Sequence, residues 1–256
     1  MIYNRVIPCL LLQNRTLVKT IKFNRYSYIG DPLNTCRIFN ELEVDEMTIL
    51  DIQAAKNLQR PDFQFLQELA SECFMPLSYG GGISTLEDAK KIFSIGFEKV
   101  ILNTVTHRNL NVISQIVETY GSQSVIASID VKKNFLSKYC IYSQGGKKKE
   151  KKELGSWIKQ LEKKGIGEIL LTDIGREGTW KGFDLDLIEM VTDCSSVPVI
   201  VHGGAGKKQD VEDAINIGGA SAVGLGNMVV FQKKDMGVLI NYSKDYNFVD
   251  KVREPY

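Results

Sequence analysis

Val44-Asp-Glu-Met-Thr-Ile-Leu-Asp-Ile52 and Ile166-Gly-Glu-Ile-Leu-Leu-Thr-Asp-Ile174 share one pattern: apolar, any, Glu, apolar, any, apolar, any, Asp, Ile. At the same offset, Met75-Pro-Leu77 followed by Gly81-Gly82 matches Val197-Pro-Val199 followed by Gly203-Gly204. Two copies of one long unit predict a fold made of two similar halves. Working outward, short apolar runs occur at Val6–Leu10, Met47–Leu50, Pro76–Tyr79, Val100–Leu102, Val125–Ile129, Ile169–Leu171, Pro198–Val201 and Ala222–Leu225. Each is rich in Val, Ile or Leu and short, as a strand buried on both faces is. Between them, Leu66, Leu69, Ala70 and Cys73, then Val112, Ile116 and Tyr120, then Leu154, Trp157, Ile158 and Leu161 recur at helical spacing. Asp31-Pro32 reads as an N-cap with proline in the first turn, and Ser84-x-x-Glu87 as a capping box. Eight strands alternating with helices predict a (β/α)8 TIM barrel built from two half-barrel repeats. The rival, a doubly wound open sheet, usually shows one Gly-rich turn and not two.

Composition narrows the class. The 256 residues carry 32 Lys+Arg against 31 Asp+Glu, a net charge of +1, with 43% hydrophobic and 25% charged residues. That mix predicts a globular chain and gives no basic excess for nucleic acid. The five cysteines are scattered without a C-x-x-C pair, which predicts neither a disulfide framework nor a metal site and suits a reducing compartment. No apolar stretch approaches a membrane span and the N-terminus lacks leader zones, so the expectation is a cytoplasmic protein without a membrane partner. One domain over 1–256 is expected, the barrel covering about 5–242 and a tail 243–256 left unassigned.

Gly80-Gly81-Gly82 follows the third run and Gly203-Gly204-Ala205-Gly206 the seventh. Glycine loops let several N–H groups point at one anion, and a following helix N-terminus adds a favourable field. One strand later lie Asn103-Thr104 and Gly226-Asn227. Neighbouring barrel strands set these loops side by side, predicting two phosphate sites across one mouth and a ligand with phosphate at each end. The plainer reading makes the glycines tight strand-to-helix turns.

These residues, with Ile7-Pro-Cys-Leu10, Val18-Lys19, Gly30-Asp-Pro32, Leu50-Asp51-Ile52, Gly121-Ser-Gln123, Ile129-Asp130 and Glu177-Gly-Thr179, make the chain resemble the cyclase subunit of imidazole glycerol phosphate synthase. The resemblance runs from Arg5 to about Tyr242. It implies a (β/α)8 enzyme of histidine biosynthesis that receives ammonia from a glutaminase at the barrel bottom. The ammonia then meets a bisphosphorylated intermediate at the top, with no cofactor or metal. It implies catalytic roles for Asp130, Lys19, Asp51 and Glu177, and adds Gly178 to the phosphate-binding set. It also implies an ammonia gate of Arg5, Glu46, Lys99 and Glu168, and a partner-facing Glu98; the plainer reading of the four gate charges is a set of structural ion pairs.

The chain departs from the family at the mouth. Leu11 stands where the family has the first catalytic aspartate, and leucine transfers no proton. Gly175 and Glu177 replace aspartates, His202 a small residue and Asn227 a serine. A kept gate with a changed mouth resembles a divergent branch associated with acetamidino modification of bacterial surface sugars, in which ammonia goes on to a separate sugar amidotransferase. Two alternatives stand beside it: a functional histidine-pathway cyclase subunit, and a non-catalytic scaffold that activates a glutaminase. His202 is a candidate to replace the missing acid–base group if it titrates near neutrality; otherwise it hydrogen-bonds a phosphate or a carboxylate. His107 is expected to face solvent. Lys147–Lys152 reads as a mobile solvated loop or a docking patch, beside a small hairpin over Phe135–Tyr142. Trp180 reads as a lid or an exposed anchor.

Overall fold

The computed structural model describes residues 5–57 and 59–242. The tail 243–256 lies outside the described residues. Eight parallel strands form the barrel: β1 Arg5–Gln13, β2 Met47–Asp51, β3 Leu77–Gly80, β4 Lys99–Leu102, β5 Val125–Lys133, β6 Glu168–Asp173, β7 Val199–His202 and β8 Ala222–Leu225. Each pairs with the next in order. β8 then pairs back to β1 through Arg5↔Ala222 to Pro8↔Leu225, which closes the cylinder. The open-sheet rival is thereby excluded. The two repeat copies occupy β2–β3 and β6–β7, which face each other across the barrel.

Alternation along each strand divides the side chains. Leu10, Ile49, Tyr79, Val100, Ala127, Leu171, Val201 and Val223 point outward into the main core. There they meet the helices Pro32–Glu41, Phe63–Ser71, Leu86–Ile95, Asn111–Tyr120, Leu154–Lys163, Leu185–Cys194 and Lys208–Asn216, through residues such as Phe39, Leu69, Ile92, Ile116, Trp157 and Val191. Ile7, Ile101, Ile126, Leu170, Ile200 and Ala222 point inward and form one apolar layer within the barrel. Pro76 and Pro198, at the edges of the predicted runs, precede their strands and contribute only carbonyls, to Met47 N and Ile169 N, both at 3.0 Å.

Asp31 caps its helix as expected, accepting from Asn34 N at 2.9 Å with Pro32 in the first turn. The capping box is displaced by one residue from Ser84-x-x-Glu87. Thr85 is the N-cap, and Asp88 closes the box. Asp88 is fully buried and also accepts from Arg60 Nε at 2.8 Å, whereas Glu87 is exposed. Cys73 lies beyond its helix, which ends at Ser71.

Two antiparallel extensions rise from the top of the barrel. After β1, the chain forms a ribbon of Thr16–Ile21 and Asn24–Gly30. Beyond Asp130, β5 runs on and pairs with Tyr139–Ser143, in the register Asp130↔Tyr142 to Lys133↔Tyr139. The hairpin therefore differs from the expected Phe135–Tyr142. Strand β5 supplies its first leg, and Phe135 sits in the turn.

Candidate functional site

A cavity of about 440 Å³ opens at the top of the barrel. Asp51, Gly81, Gly82, Asn103, Thr104 and Asp130 line it, with Leu11, Glu177 and His202 at its other side. A second, small recess of about 20 Å³ shares Leu11, Glu177 and His202 and adds Lys19, Gly178, Gly203, Gly204, Gly226 and Asn227. The structure thus brings both glycine sets to one two-lobed mouth. The glycines also have a backbone reason to be there. Gly82 has φ +69°, and a Cβ would sit 2.4 Å from Gln59 O. Gly204 has φ +123°, and a Cβ would sit 2.3 Å from Gly182 O. Both the tight-turn and the anion-cradling readings use these positions.

Leu11 is buried between its ladder partners Val18 and Leu50. Across the mouth, Asp130 accepts from Ser128 Oγ at 3.3 Å, and burial raises its pKa to about 7. Lys19 donates from Nζ to Cys9 O at 2.6 Å, and burial lowers its pKa to about 8. Glu177 accepts from Thr20 Oγ1 at 2.8 Å and Phe23 N at 3.0 Å, pinning the ribbon over the mouth; desolvation raises its pKa. Asp51 Oδ1 accepts from Gln53 N at 2.9 Å and Ala54 N at 3.0 Å, so it shapes the loop after β2, and burial raises its pKa. Asn103 Nδ2 donates to Ser128 O at 3.1 Å, and Asn227 Nδ2 to Gly178 O at 3.2 Å.

His202 is a correction. Burial, with the Lys19 ammonium beside it, lowers its pKa to about 3, so it is neutral at pH 7 and does not replace an acid–base group by titrating there. Its Nδ1 has no hydrogen-bond partner among the described residues. Lys19 titrates much closer to neutrality. His107 is a second correction. It does not face solvent: its ring stacks on Trp157 with centroids 4.8 Å apart, neither ring nitrogen has a hydrogen-bond partner among the described residues, and burial lowers its pKa to about 4. Both histidines are depressed below the unfolded value of about 6.5. The unfolded chain therefore takes up protons first, and stability present above that pH is lost as pH falls toward about 4 for His107 and about 3 for His202. Asp130, raised to about 7, works in the opposite direction over the same range, so the test is the difference between variants. From pH 7 to pH 5 the urea midpoint of His202→Asn is expected to fall less, or rise more, than that of the wild type, and an equal change in both would refute this.

Trp180 is partly buried and packs against the core, so it is no exposed anchor. The run Lys147–Lys152 is not an irregular loop. Lys148–Lys149 form a short strand on Tyr142–Ser143, Ser143 Oγ bonds Glu150 Oε1 at 2.6 Å, and Lys152 Nζ lies over the Trp157 ring. Strand alternation would have found Ser128 and Thr172 as further mouth residues, each two positions from another inward-facing side chain. Thr20, Phe23 and Gly145 come from the extensions and had no sequence signal.

At the bottom, four charges close a ring. Arg5 reaches Glu46 at 2.8 Å and Glu168 at 3.1 Å; Lys99 reaches Glu46 and Glu168 at 3.1 Å each. Glu46 and Glu168 are the matching glutamates of the two repeats. Glu168 Oε2 is buried without a hydrogen-bond partner among the described residues. The apolar layer lies next above the ring, together with one hydroxyl pair, Thr48 and Ser78, at 2.7 Å. Glu98 is exposed beside Lys99.

The sequence of this barrel matches the family described as Histidine biosynthesis protein, over residues 5–235. The chain belongs to this family. Within it, the chain is 48% identical over 250 residues to a protein of Pseudomonas aeruginosa provisionally named imidazole glycerol phosphate synthase subunit hisF2, covering 98% of this chain and 99% of that one. A provisionally named HisF subunit of Leptospira interrogans is 44% identical, covering 94% and 96%. The imidazole glycerol phosphate synthase subunit HisF of Dictyoglomus thermophilum, named without that qualification, is 38% identical, covering 85% and 86%. No helix among the described residues is long and apolar enough to cross a membrane.

Proposed function

We propose that the chain is the barrel subunit of a glutamine-dependent assembly of the imidazole glycerol phosphate synthase type. A glutaminase docks on the bottom face around Glu98, and ammonia passes the ring of Arg5, Glu46, Lys99 and Glu168. A ligand with two phosphates lies across the mouth. One phosphate meets Gly81, Gly82, Asn103 and Thr104; the other meets Gly178, Gly203, Gly204, Gly226 and Asn227. The observation that carries this reading is the two-lobed mouth and the charge ring at opposite ends of one barrel. The relatives' names, each a synthase subunit, go with the histidine-pathway alternative and not with the sugar reading placed first from the sequence.

Two proton carriers are available at the mouth. Asp130, raised to about 7, serves as base, and Lys19, lowered to about 8, serves as acid. Glu177 and Asp51 hold the surrounding loops. Lys19 Nζ is held by Cys9 O at 2.6 Å and position 11 offers no carboxylate, so turnover is slow. The test supplies the purified chain with the histidine-pathway intermediate and excess ammonium salt, which removes the need for a glutaminase. Expected turnover lies about 100-fold or more below a typical enzyme rate of about 10 per second. A typical rate would mean that Leu11 is tolerated; no turnover with intact phosphate binding would sink the cyclase role.

One observation favours a second reading. Leu11 makes the mouth apolar where proton transfer is needed, so delivery of ammonia to a separate sugar amidotransferase demands less of this chain than cyclisation does. A glutaminase-coupled amidination assay on an acetamido sugar, with and without this chain, separates the two. The scaffold reading requires neither ammonia passage nor ligand and fails if ring substitutions uncouple the glutaminase.

A further inference from the structure

The hairpin on β5 carries charge and apolar surface in an unusual arrangement. Lys132 to Lys152 hold eight lysines and one glutamate, a local charge of +7, in a chain whose net charge is +1. Lys133 pairs with Asp184 and Lys148 with Glu150, the only acid of the segment. Lys132, Lys138, Lys147, Lys149 and Lys151 are exposed and have no ion-pair partner among the described residues. At the apex, Phe135 is 93% exposed and Leu136 62%. The apex is a fixed turn: Asn134 Oδ1 accepts from Leu136 N at 2.9 Å and Lys138 N at 3.0 Å. The ribbon after β1 stands next to this arm, since a Cβ on Gly146 would lie 3.0 Å from the Phe23 ring. It adds exposed Ile21, Tyr26 and Tyr28, with Lys22 and Arg25.

We propose that this arm docks the top of the barrel on an anionic lipid surface, with Phe135 and Leu136 entering the headgroup region and the unpaired lysines facing lipid phosphates. An exposed apolar tip with Lys132 and Lys138 near it, and Lys147, Lys149 and Lys151 toward the base of the hairpin, fits a soft interface, where apolar side chains sink in and charges stay at the surface. Exposed tyrosines suit the same boundary. An acidic protein surface is the competing occupant of such a charge pattern. Lysine, however, is depleted at protein interfaces and arginine enriched, and all of the arm's cations are lysines. The arm and the ribbon also border the mouth, through Phe23 and Gly145, so the docked face is the one that opens to the cavity.

The test is co-sedimentation of the whole chain with vesicles of phosphatidylcholine alone, or of phosphatidylcholine mixed equally with phosphatidylglycerol. Binding is expected on the anionic vesicles and at least tenfold weaker on the zwitterionic ones. Added salt should weaken it. Each of Lys132→Gln and Lys138→Gln should cost about fivefold. Phe135→Ser with Leu136→Ser should cost at least tenfold; both side chains lie outside the core, so circular dichroism should show an unchanged fold. Poly-glutamate serves as the acidic-protein probe and should bind weakly, with no dependence on the tip. Wild type left in the supernatant with anionic vesicles overturns the proposal. So does a tip variant that binds as well as wild type, or tip-dependent capture by poly-glutamate.

Discussion

Asp130→Asn is expected to lower ammonium-driven turnover of the bisphosphorylated intermediate by about 100-fold to 10,000-fold. Asp130 is the one carboxylate at the top of β5 that faces the cavity, and the opposite position on β1 is Leu11. The other carboxylates of the mouth, Asp51 and Glu177, are tied to donors of the surrounding loops and do not share the loss. The pH dependence of kcat/KM reports the free protein's groups. A base raised to about 7 must be ionised, so the rate rises through that pH; an acid lowered to about 8 must keep its proton, so the rate falls above it. The profile is expected to be a narrow bell with limbs near pH 7 and pH 8. Asp130→Asn should remove the lower limb and Lys19→Met the upper. A profile flat across this range would exclude both assignments. Leu11→Asp alone is expected to leave turnover low, because it buries a carboxylate beside Leu50 in a mouth that also differs at Gly175, His202 and Asn227. Full activity in that variant would refute this.

Lys99→Ala is the second large effect, and it has two parts. Lys99 touches both ring glutamates at 3.1 Å, and both glutamates are mostly buried. Removing one partner of such a set leaves buried charge undercompensated, at a cost of about 3 kcal/mol. Arg5 still holds both glutamates, which keeps the figure at the lower end for a broken buried pair. In a chain of this size the melting temperature should fall by about 6–12 °C. A shift under about 2 °C would mean that the ring is solvated. The functional part is separate. Four paired charges close the barrel bottom, so on the function proposed above ammonia would enter only when a pair opens. With Lys99 gone the entrance no longer reseals, and glutamine hydrolysis should run ahead of product formation. Unchanged coupling, with the expected loss of stability, would reduce the ring to a structural closure.

The repeat made the barrel legible. Two copies of strand-Glu-strand-Asp and strand-Gly-Gly fix β2, β3, β6 and β7 and place them on opposite sides, and the remaining runs fill the gaps. Burial on both faces explains why: each barrel strand is apolar outward and carries only small, apolar or buried polar side chains inward, so its run stands out without any partner being known. The glycine loops were legible for the same local reason, since backbone that must approach within 2.4 Å of Gln59 O at Gly82 excludes a side chain. Ser84-x-x-Glu87 misled because Thr85-x-x-Asp88 satisfies the same rule one residue on, and the fold buries Asp88 while leaving Glu87 exposed.

Chain order, strand periodicity and turn residues thus determined the fold and the location of the mouth by themselves, because each depends on neighbours within a few residues. Tertiary structure alone decided the protonation states. His202 is neutral because strand closure buries it next to Lys19, and Asp130 holds its proton to about pH 7 because the barrel wall removes its water. The same holds for the ring: Arg5, Glu46, Lys99 and Glu168 come from four strands, and only closure of the cylinder turns four scattered charges into one paired circuit. Solvation and charge pairing depend on what lies within a few ångströms in space, and the chain brings those groups together only once it has folded.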